Sequence, residues 1–436
     1  MSATDTLGMT WEWESALGVK LPEHRCTWAR LEIRAGGEVV TLVEDLDSGS
    51  SRRSIYVPLY PLAEWVAFNW WTLLYNSRLS SSALMDNVRL SSPEHMRNNF
   101  RSIGDGFSWP DLAIIPAGSQ TTISWRPFSS PIAGWRLRYI GRGDVLVATS
   151  VLRDELARFV EAVIARLDEN GISNTALHKE WQEVSGTDSD EAEYCRTAAR
   201  LGLDPYSTAH EFEEEILSAA ELVPDSLFGD FVDAVAPAKL RAAQKWIAKA
   251  SAKAEAMRTP SNSALEAIHS ALDGSKIEYS SRPWETGWSQ AKIARQAAQV
   301  PSGERFAINE YVTVGSLASP ELQVQALGIG RDQAVSLVLG SHHANSRSSK
   351  FLLGRALWHS AATSDTAFLV TNAYTEKQKI ERAFAAELLA PAAGIAQLLE
   401  HDAWSTSLEE VERIADHFDV SAILVQHQID NQLVAA

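Results

Sequence analysis

The sequence predicts an α+β protein in three parts: a β-rich domain over residues 1–145, a helical middle region over 146–258, and a domain of helices with a small sheet over 259–436. Three observations carry this. Residues 28–34 and 122–126 alternate apolar and polar side chains, the period of a half-buried strand. Leu152, Leu156, Phe159, Val160, Val163 and Leu167 recur at the spacing of one helix face. Residues 351–391 read as two helices joined by a loop, and they hold the densest group of chemically capable side chains.

Composition bounds the class. The chain has 436 residues, 45% of them hydrophobic and 22% charged, which suits a globular protein with a sizeable core in each part. Its two cysteines, Cys26 and Cys195, lie far apart; they make no disulfide framework and suit a reducing cytoplasm. The first fifteen residues lack a basic segment followed by an apolar one, so no secretory signal is predicted. No apolar run approaches the roughly 18 residues of a membrane helix. Net charge is −17, and residues 181–234 alone hold fourteen acidic residues against two arginines, a balance that repels nucleic acid. Lys239, Arg241, Lys245, Lys249, Lys253 and Arg258 then reverse the sign, which predicts two solvated helical faces that attract each other rather than a DNA-binding arm. Gly328-Ile329-Gly330 lacks the third glycine of a phosphate-cradling loop, so no nucleotide cofactor is predicted.

In chain order, Gly36-Gly37 turns between strands over 28–34 and 39–45, and a further strand covers 54–60. Pro61 sits at the favoured first position of a helix in which Leu62, Trp65, Val66, Asn69, Leu73 and Leu74 share a stripe widened by Trp70 and Trp71. Nine of the fifteen tryptophans fall before residue 146; core packing is their commoner fate, and interface anchoring is the alternative. Strands resume over 112–115, 120–126 and 135–140. The helix over 151–169 ends at Asn170-Gly171, and residues 176–256 are helical with breaks at Gly186, Pro205, Pro224 and Pro237. A linker is expected over 259–263 and a helix from Pro283. Short strands follow over 321–327 and 334–339, and short helices fill the tail over 407–431. The tail resembles a helix-turn-helix, but residues 423–429 carry no Arg or Lys, so direct nucleic-acid binding is not expected.

In the organising stretch, Arg355 and His359 are four residues apart and share a helix face. The second helix carries Glu376, Glu381 and Glu387 and stops at Ala390-Pro391. The segments Phe351-Leu352-Leu353-Gly354-Arg355-Ala356-Leu357-Trp358-His359, Glu381-Arg382-Ala383-Phe384-Ala385-Ala386-Glu387-Leu388-Leu389-Ala390-Pro391 and Ile414-Ala415-Asp416-His417-Phe418-Asp419-Val420-Ser421 resemble the ImmA/IrrE family of bacterial zinc metallopeptidase-like proteins over the last third of the chain. The resemblance implies a zincin-like fold and a first helix reading roughly F-x-x-A-H-E-x-x-H. In that frame Arg355 stands for the first histidine, Ala356 for the glutamate and His359 for the second histidine.

These departures remove chemistry. A guanidinium offers donors only and cannot be a ligand. Ala356 cannot take a proton from a metal-bound water. His359 alone is a poor zinc anchor. Arg355 is therefore expected to replace the metal's charge and to pair with Glu381 first or Glu387 second; the plain alternative is an exposed Arg355 beside a satisfied core histidine. His342, His343, Asp365, His401 and His417 lack ligand spacing with His359, so no metal or cofactor is expected, and zinc on His359 and Glu381 belongs to the alternative of a rebuilt site. The resemblance implies settings of bacterial stress, mobile-element or phage-related control, with a protein partner such as a transcriptional regulator. Three functions follow: a catalytically silent, cytoplasmic pseudo-protease acting by binding; an active endopeptidase with an altered ligand set; and an interaction protein that uses its Trp-rich N-terminal domain.

Overall fold

A computed structural model describes residues 6–16, 18–78, 97–129, 136–258, 261–273, 282–318, 323–331, 334–340, 347–363, 365–400 and 402–434. The chain is mixed α+β and divides into two compact units, Met1–Glu211 and Phe212–Ala436. The boundary lies within the helical middle stretch, and the foreseen linker residues Thr259 and Pro260 lie outside the described residues.

The first unit holds three antiparallel sheets. In one, β1 (Leu7–Trp13), β2 (Trp28–Ala35) and β3 (Glu38–Val39) lie in that order. In another, β4 (Val43–Asp45) pairs β5 (Ser50–Arg52), while β6 (Ile55–Pro58) returns to β2. The third joins β7 (Asp111–Ala117) and β8 (Gln120–Arg126) to a later strand; β9 (Phe128–Ser129) and β10 (Leu137–Tyr139) extend the β4 sheet, and β11 (Gly143–Ala148) is that later strand. β1 was not foreseen, although Leu7, Met9, Trp11 and Trp13 alternate with Gly8, Thr10 and Glu12 at the strand period, and Leu7 and Met9 are buried. β11 was also missed. Helices α1 (Pro22–Cys26), α2 (Tyr60–Phe68) and α3 (Trp70–Tyr75) follow the first sheet, and the expected single aromatic helix is broken at Asn69. The Asn69 side chain donates back to the Trp65 carbonyl at 2.8 Å, which offers the backbone an alternative to the helical ladder.

α4 (Thr149–Glu169), α5 (Ala176–Gly186) and α6 (Ser189–Arg200) complete this unit. The apolar stripe of α4 foreseen from its periodicity is buried throughout. Trp70, Trp71, Trp109 and Trp125 are core residues, with Trp70 edge-on to Trp181 at 4.9 Å. α4 also closes the free side of β1. Glu155 accepts the Met9 amide at 2.7 Å, and Arg158 donates to the Met9 carbonyl at 2.7 Å. Arg158 and Arg166 lie over the rings of Trp11 and Trp13.

The second unit opens with α7 (Glu213–Leu222), α8 (Asp225–Ala234) and α9 (Leu240–Ala256). Arg241 of α9 pairs with Glu214 and Glu215 of α7, each at 3.1 Å, where basic and acidic runs meet. α10 (Ser263–Asp273) and α11 (Pro283–Ala297) precede a four-stranded sheet of β12 (Val312–Leu317), β13 (Val324–Arg331), β14 (Ala334–Gly340) and β15 (Ala367–Thr371). Its order is β12-β14-β13-β15, with β12 parallel to β14 and the other pairs antiparallel. β12 was not foreseen, and β15 replaces part of the loop expected between the two organising helices; its run Ala367-Phe368-Leu369-Val370-Thr371 is short enough to pass as a buried connection.

The organising helices are α12 (Arg347–Ala362) and α13 (Glu376–Leu389). The tail folds as α14 (Ala392–Leu398), α15 (Leu408–Phe418) and α16 (Ala422–Gln428). No helix among the described residues is long and apolar enough to cross a membrane.

Candidate functional site

The site grows from local rules. Thr375 and Gln378 form a capping box that starts α13, with the Thr375 amide donating to Gln378 Oε1 at 3.2 Å. Gly354 lets α12 lie close to α13: a side chain there would place its first carbon 3.0 Å from Ala385 Cβ. The two helices thereby bring Arg355 and His359 against Glu381. All three side chains are buried, Arg355 at 2% exposure and His359 and Glu381 at 0%.

All three nitrogens of Arg355 are engaged. Its Nε donates to Glu381 Oε1 at 2.8 Å, Nη2 donates to the same oxygen and to the Thr371 carbonyl at 2.6 Å, and Nη1 donates to Gln325 Oε1 at 2.8 Å. His359 Nε2 hydrogen-bonds the other carboxylate oxygen, Glu381 Oε2. One carboxylate thus bridges a guanidinium and an imidazole. His359 is held between aromatic rings, stacked on Phe368 at 4.6 Å and 6°, with Trp358 edge-on at 5.0 Å. Trp358 is itself fixed by its indole N–H donating to Gln290 Oε1 at 2.7 Å. Gly328 makes the Phe368 stack possible, since a side chain there would sit 2.2 Å from the Phe368 ring. Gln325 occupies a bulge where the β13–β15 register shifts between Val324 and Ala326. Such an extra residue re-aims a side chain, and this one is aimed at Arg355.

Burial pushes the Glu381 carboxyl pKa up, but Arg355 and then His359 outweigh it and hold it below the usual carboxylate range. A carboxylate with a depressed native pKa contributes stability above its unfolded pKa of about 4.3, and that contribution is lost as pH falls through the lower native value. The second unit is therefore expected to weaken steeply on acidification below about pH 4.3. Glu381→Gln, less stable at neutral pH, should converge on the parent at low pH. Parallel pH profiles for the two proteins, in chemical unfolding followed from pH 7 to 3, would contradict this.

Arg382, beside Glu381, donates to the carbonyls of Ala373 at 2.8 Å and Thr371 at 3.3 Å. Burial and then the neighbouring Arg355 push its pKa down to about 10. Lys377 bridges Asp230 at 3.0 Å and Asp365 at 3.3 Å, and these carboxylates outweigh burial to hold its pKa above the usual range.

The other foreseen residues lie elsewhere. Glu387, the second choice for Arg355, does not reach it. Its Oε2 accepts from the Ala392 amide at 3.1 Å and from Gln428 and Gln432, each at 2.8 Å, tying α13 to the tail. Ala356 is core. Glu376 lies in the first turn of α13, Asp365 is engaged by Lys377, and His417 Nε2 hydrogen-bonds the Gly303 carbonyl at 2.8 Å. His342, His343 and His401 lie outside the described residues. Gln325, Phe368 and the Thr371 carbonyl were not foreseen as parts of the site.

The donor set does not fit zinc. Both Glu381 oxygens are engaged, Arg355 supplies only donors, and no group of three His, Cys, Asp or Glu among the described residues is arranged to hold a metal. A cavity of about 690 Å³ lies elsewhere in the unit, lined in part by Arg347, Lys350 and Asp419. Its charges already pair: Lys350 and Arg305 with Asp419, and Arg347 with Asp416.

No protein-family model matches the chain, and no curated protein matches it in sequence.

Proposed function

We propose that the second unit is a zincin-like, ImmA/IrrE-like scaffold whose peptidase chemistry is silent, and that the protein acts by binding a protein partner as a regulator or sensor in bacterial stress, mobile-element or phage-related control. One observation supports this reading above the others: the Glu381 carboxylate that a metal would need is already shared, Oε1 with the Arg355 guanidinium and Oε2 with His359. A buried, fully bonded ion pair is a structural element and has no open position for water or substrate. In the sequence frame Arg355 stands for the first histidine and Ala356 for the glutamate, and Arg355 bonds Glu381.

The test is metal content, by elemental mass spectrometry of protein purified without a metal-affinity tag. Zinc is expected below about a tenth of an equivalent, with no uptake when it is added. Zinc near about one equivalent, lost on His359→Ala, would overturn the metal-free reading and make a protease assay against candidate repressors the next step.

A further inference from the structure

A second group of side chains lies on α13 and the residues just before it. Tyr374 is 38% exposed. Lys379 Nζ stands 5.2 Å from its ring centroid, and Arg382 Cζ stands 5.6 Å from it on the same residue. Two cations thus share one aromatic ring at a partly open surface.

Neither cation has a carboxylate partner. The ion pairs around α13 are Arg355 and His359 with Glu381, and Lys377 with Asp230 and Asp365; among the described residues none includes Lys379 or Arg382. Glu376, one turn earlier, acts on Lys379 only at a distance. Arg382 uses Nη2 on two carbonyls, while its Nη1 is buried without a hydrogen-bond partner. A buried guanidinium donor left unmade is costly, and charged groups raise that cost. Arg355 lies close enough to disfavour the Arg382 charge, and Glu381 offsets this only in part. In a chain with net charge −17, this is a local excess of positive charge with unused donors.

We propose that Lys379, Arg382 and Tyr374 form an oxyanion site that takes a phosphate group, free or carried on a larger ligand. Phosphate suits this arrangement better than a carboxylate. It carries more charge and more acceptor oxygens, so it offsets an ammonium and a guanidinium together. The anion would offset the repulsion between the two cations. The site stands whether or not the Arg355–Glu381–His359 cluster descends from a peptidase centre.

The full chain is titrated with potassium phosphate, O-phosphoserine or acetate, with ionic strength held constant by potassium chloride, and the thermal midpoint is followed. Ligand that binds the native state raises that midpoint with the logarithm of one plus its concentration over Kd, so Kd is fitted from the concentration dependence. Phosphate also stabilises proteins generally by exclusion from their surfaces, so each variant is compared with its own chloride baseline. The wild type is expected to shift with phosphate and little with acetate. Lys379→Gln and Arg382→Gln should each raise the half-saturating concentration by about tenfold. A stronger response to phosphoserine than to phosphate identifies a ligand-borne group, and the reverse identifies the free ion. No shift in the wild type beyond chloride, or equal shifts in wild type and Lys379→Gln, would overturn the proposal. Lys379 is half-buried at the surface of α13, so its variant reads the site even if Arg382→Gln folds poorly.

Discussion

Glu381→Leu is expected to destabilise the second unit by about 3–5 kcal/mol, the largest loss for a single substitution around the site. The side chains are close in volume, so the effect is electrostatic. Arg355 stays buried with its charge and keeps only the neutral acceptors Gln325 Oε1 and the Thr371 carbonyl. His359 Nε2 loses its partner at the same time, and its Nδ1 already has none among the described residues. An unpaired charge in a dry core costs more than the pair ever contributed, because the desolvation term remains after the attraction is removed. The double variant Arg355→Met/Glu381→Leu removes both charges and should recover more than half of the loss. The remainder reflects Gln325 and His359, which lose these partners, and the Thr371 carbonyl, which keeps only Arg382. Urea unfolding read by hydrogen exchange in peptides spanning residues 352–359 isolates this region, since two units need not unfold in one transition. Losses that simply add in the double variant would mean that the pair is not the coupled unit described.

Gly287→Ala tests a different kind of closeness. Gly287 lies within α11, where helix propensity alone favours Ala by about 1 kcal/mol. Packing argues the other way. An added Cβ would lie 2.4 Å from the Ile380 carbonyl oxygen, 2.8 Å from Ala383 Cβ and 2.9 Å from the Phe384 amide nitrogen. Two of these atoms are backbone of α13 and cannot rotate aside, so the helices must separate. A net loss of about 1–3 kcal/mol is expected, with the larger value if Arg355 and Glu381 are drawn apart as α13 moves. A gain in thermal stability would show that α11 and α13 are less tightly apposed than this.

Much of the site was legible because its parts obey one-dimensional rules. The i, i+4 spacing of Arg355 and His359 places them together, Ala390-Pro391 ends the next helix, and a buried guanidinium needs a carboxylate. The choice between Glu381 and Glu387 was a matter of helical phase. Six residues turn the second carboxylate away toward Gln428 and Gln432, contacts set by a tail whose docking no local pattern encodes. Gln325 escaped notice for a similar reason. Its aim comes from a β-bulge, which depends on pairing between strands distant in sequence. The Thr371 carbonyl is backbone and leaves no mark in residue identity. In the first unit, α4 declared itself through its apolar stripe, and β1 was legible too, since Leu7, Met9, Trp11 and Trp13 alternate with Gly8, Thr10 and Glu12.

The way α4 meets β1 has a consequence for how the chain behaves in company. An outer strand with an open row of amides and carbonyls invites a strand from another molecule, and that invitation is a common route to fibrils and to swapped dimers. At Met9 the invitation is withdrawn: the carboxylate of Glu155 and the guanidinium of Arg158 fill the amide and the carbonyl that an incoming strand would use. Both come from a single helix and also bond each other, so the seal forms with the fold and needs no other molecule. At Met9 this border of the first sheet is therefore closed to an incoming strand, which interrupts any pairing along β1.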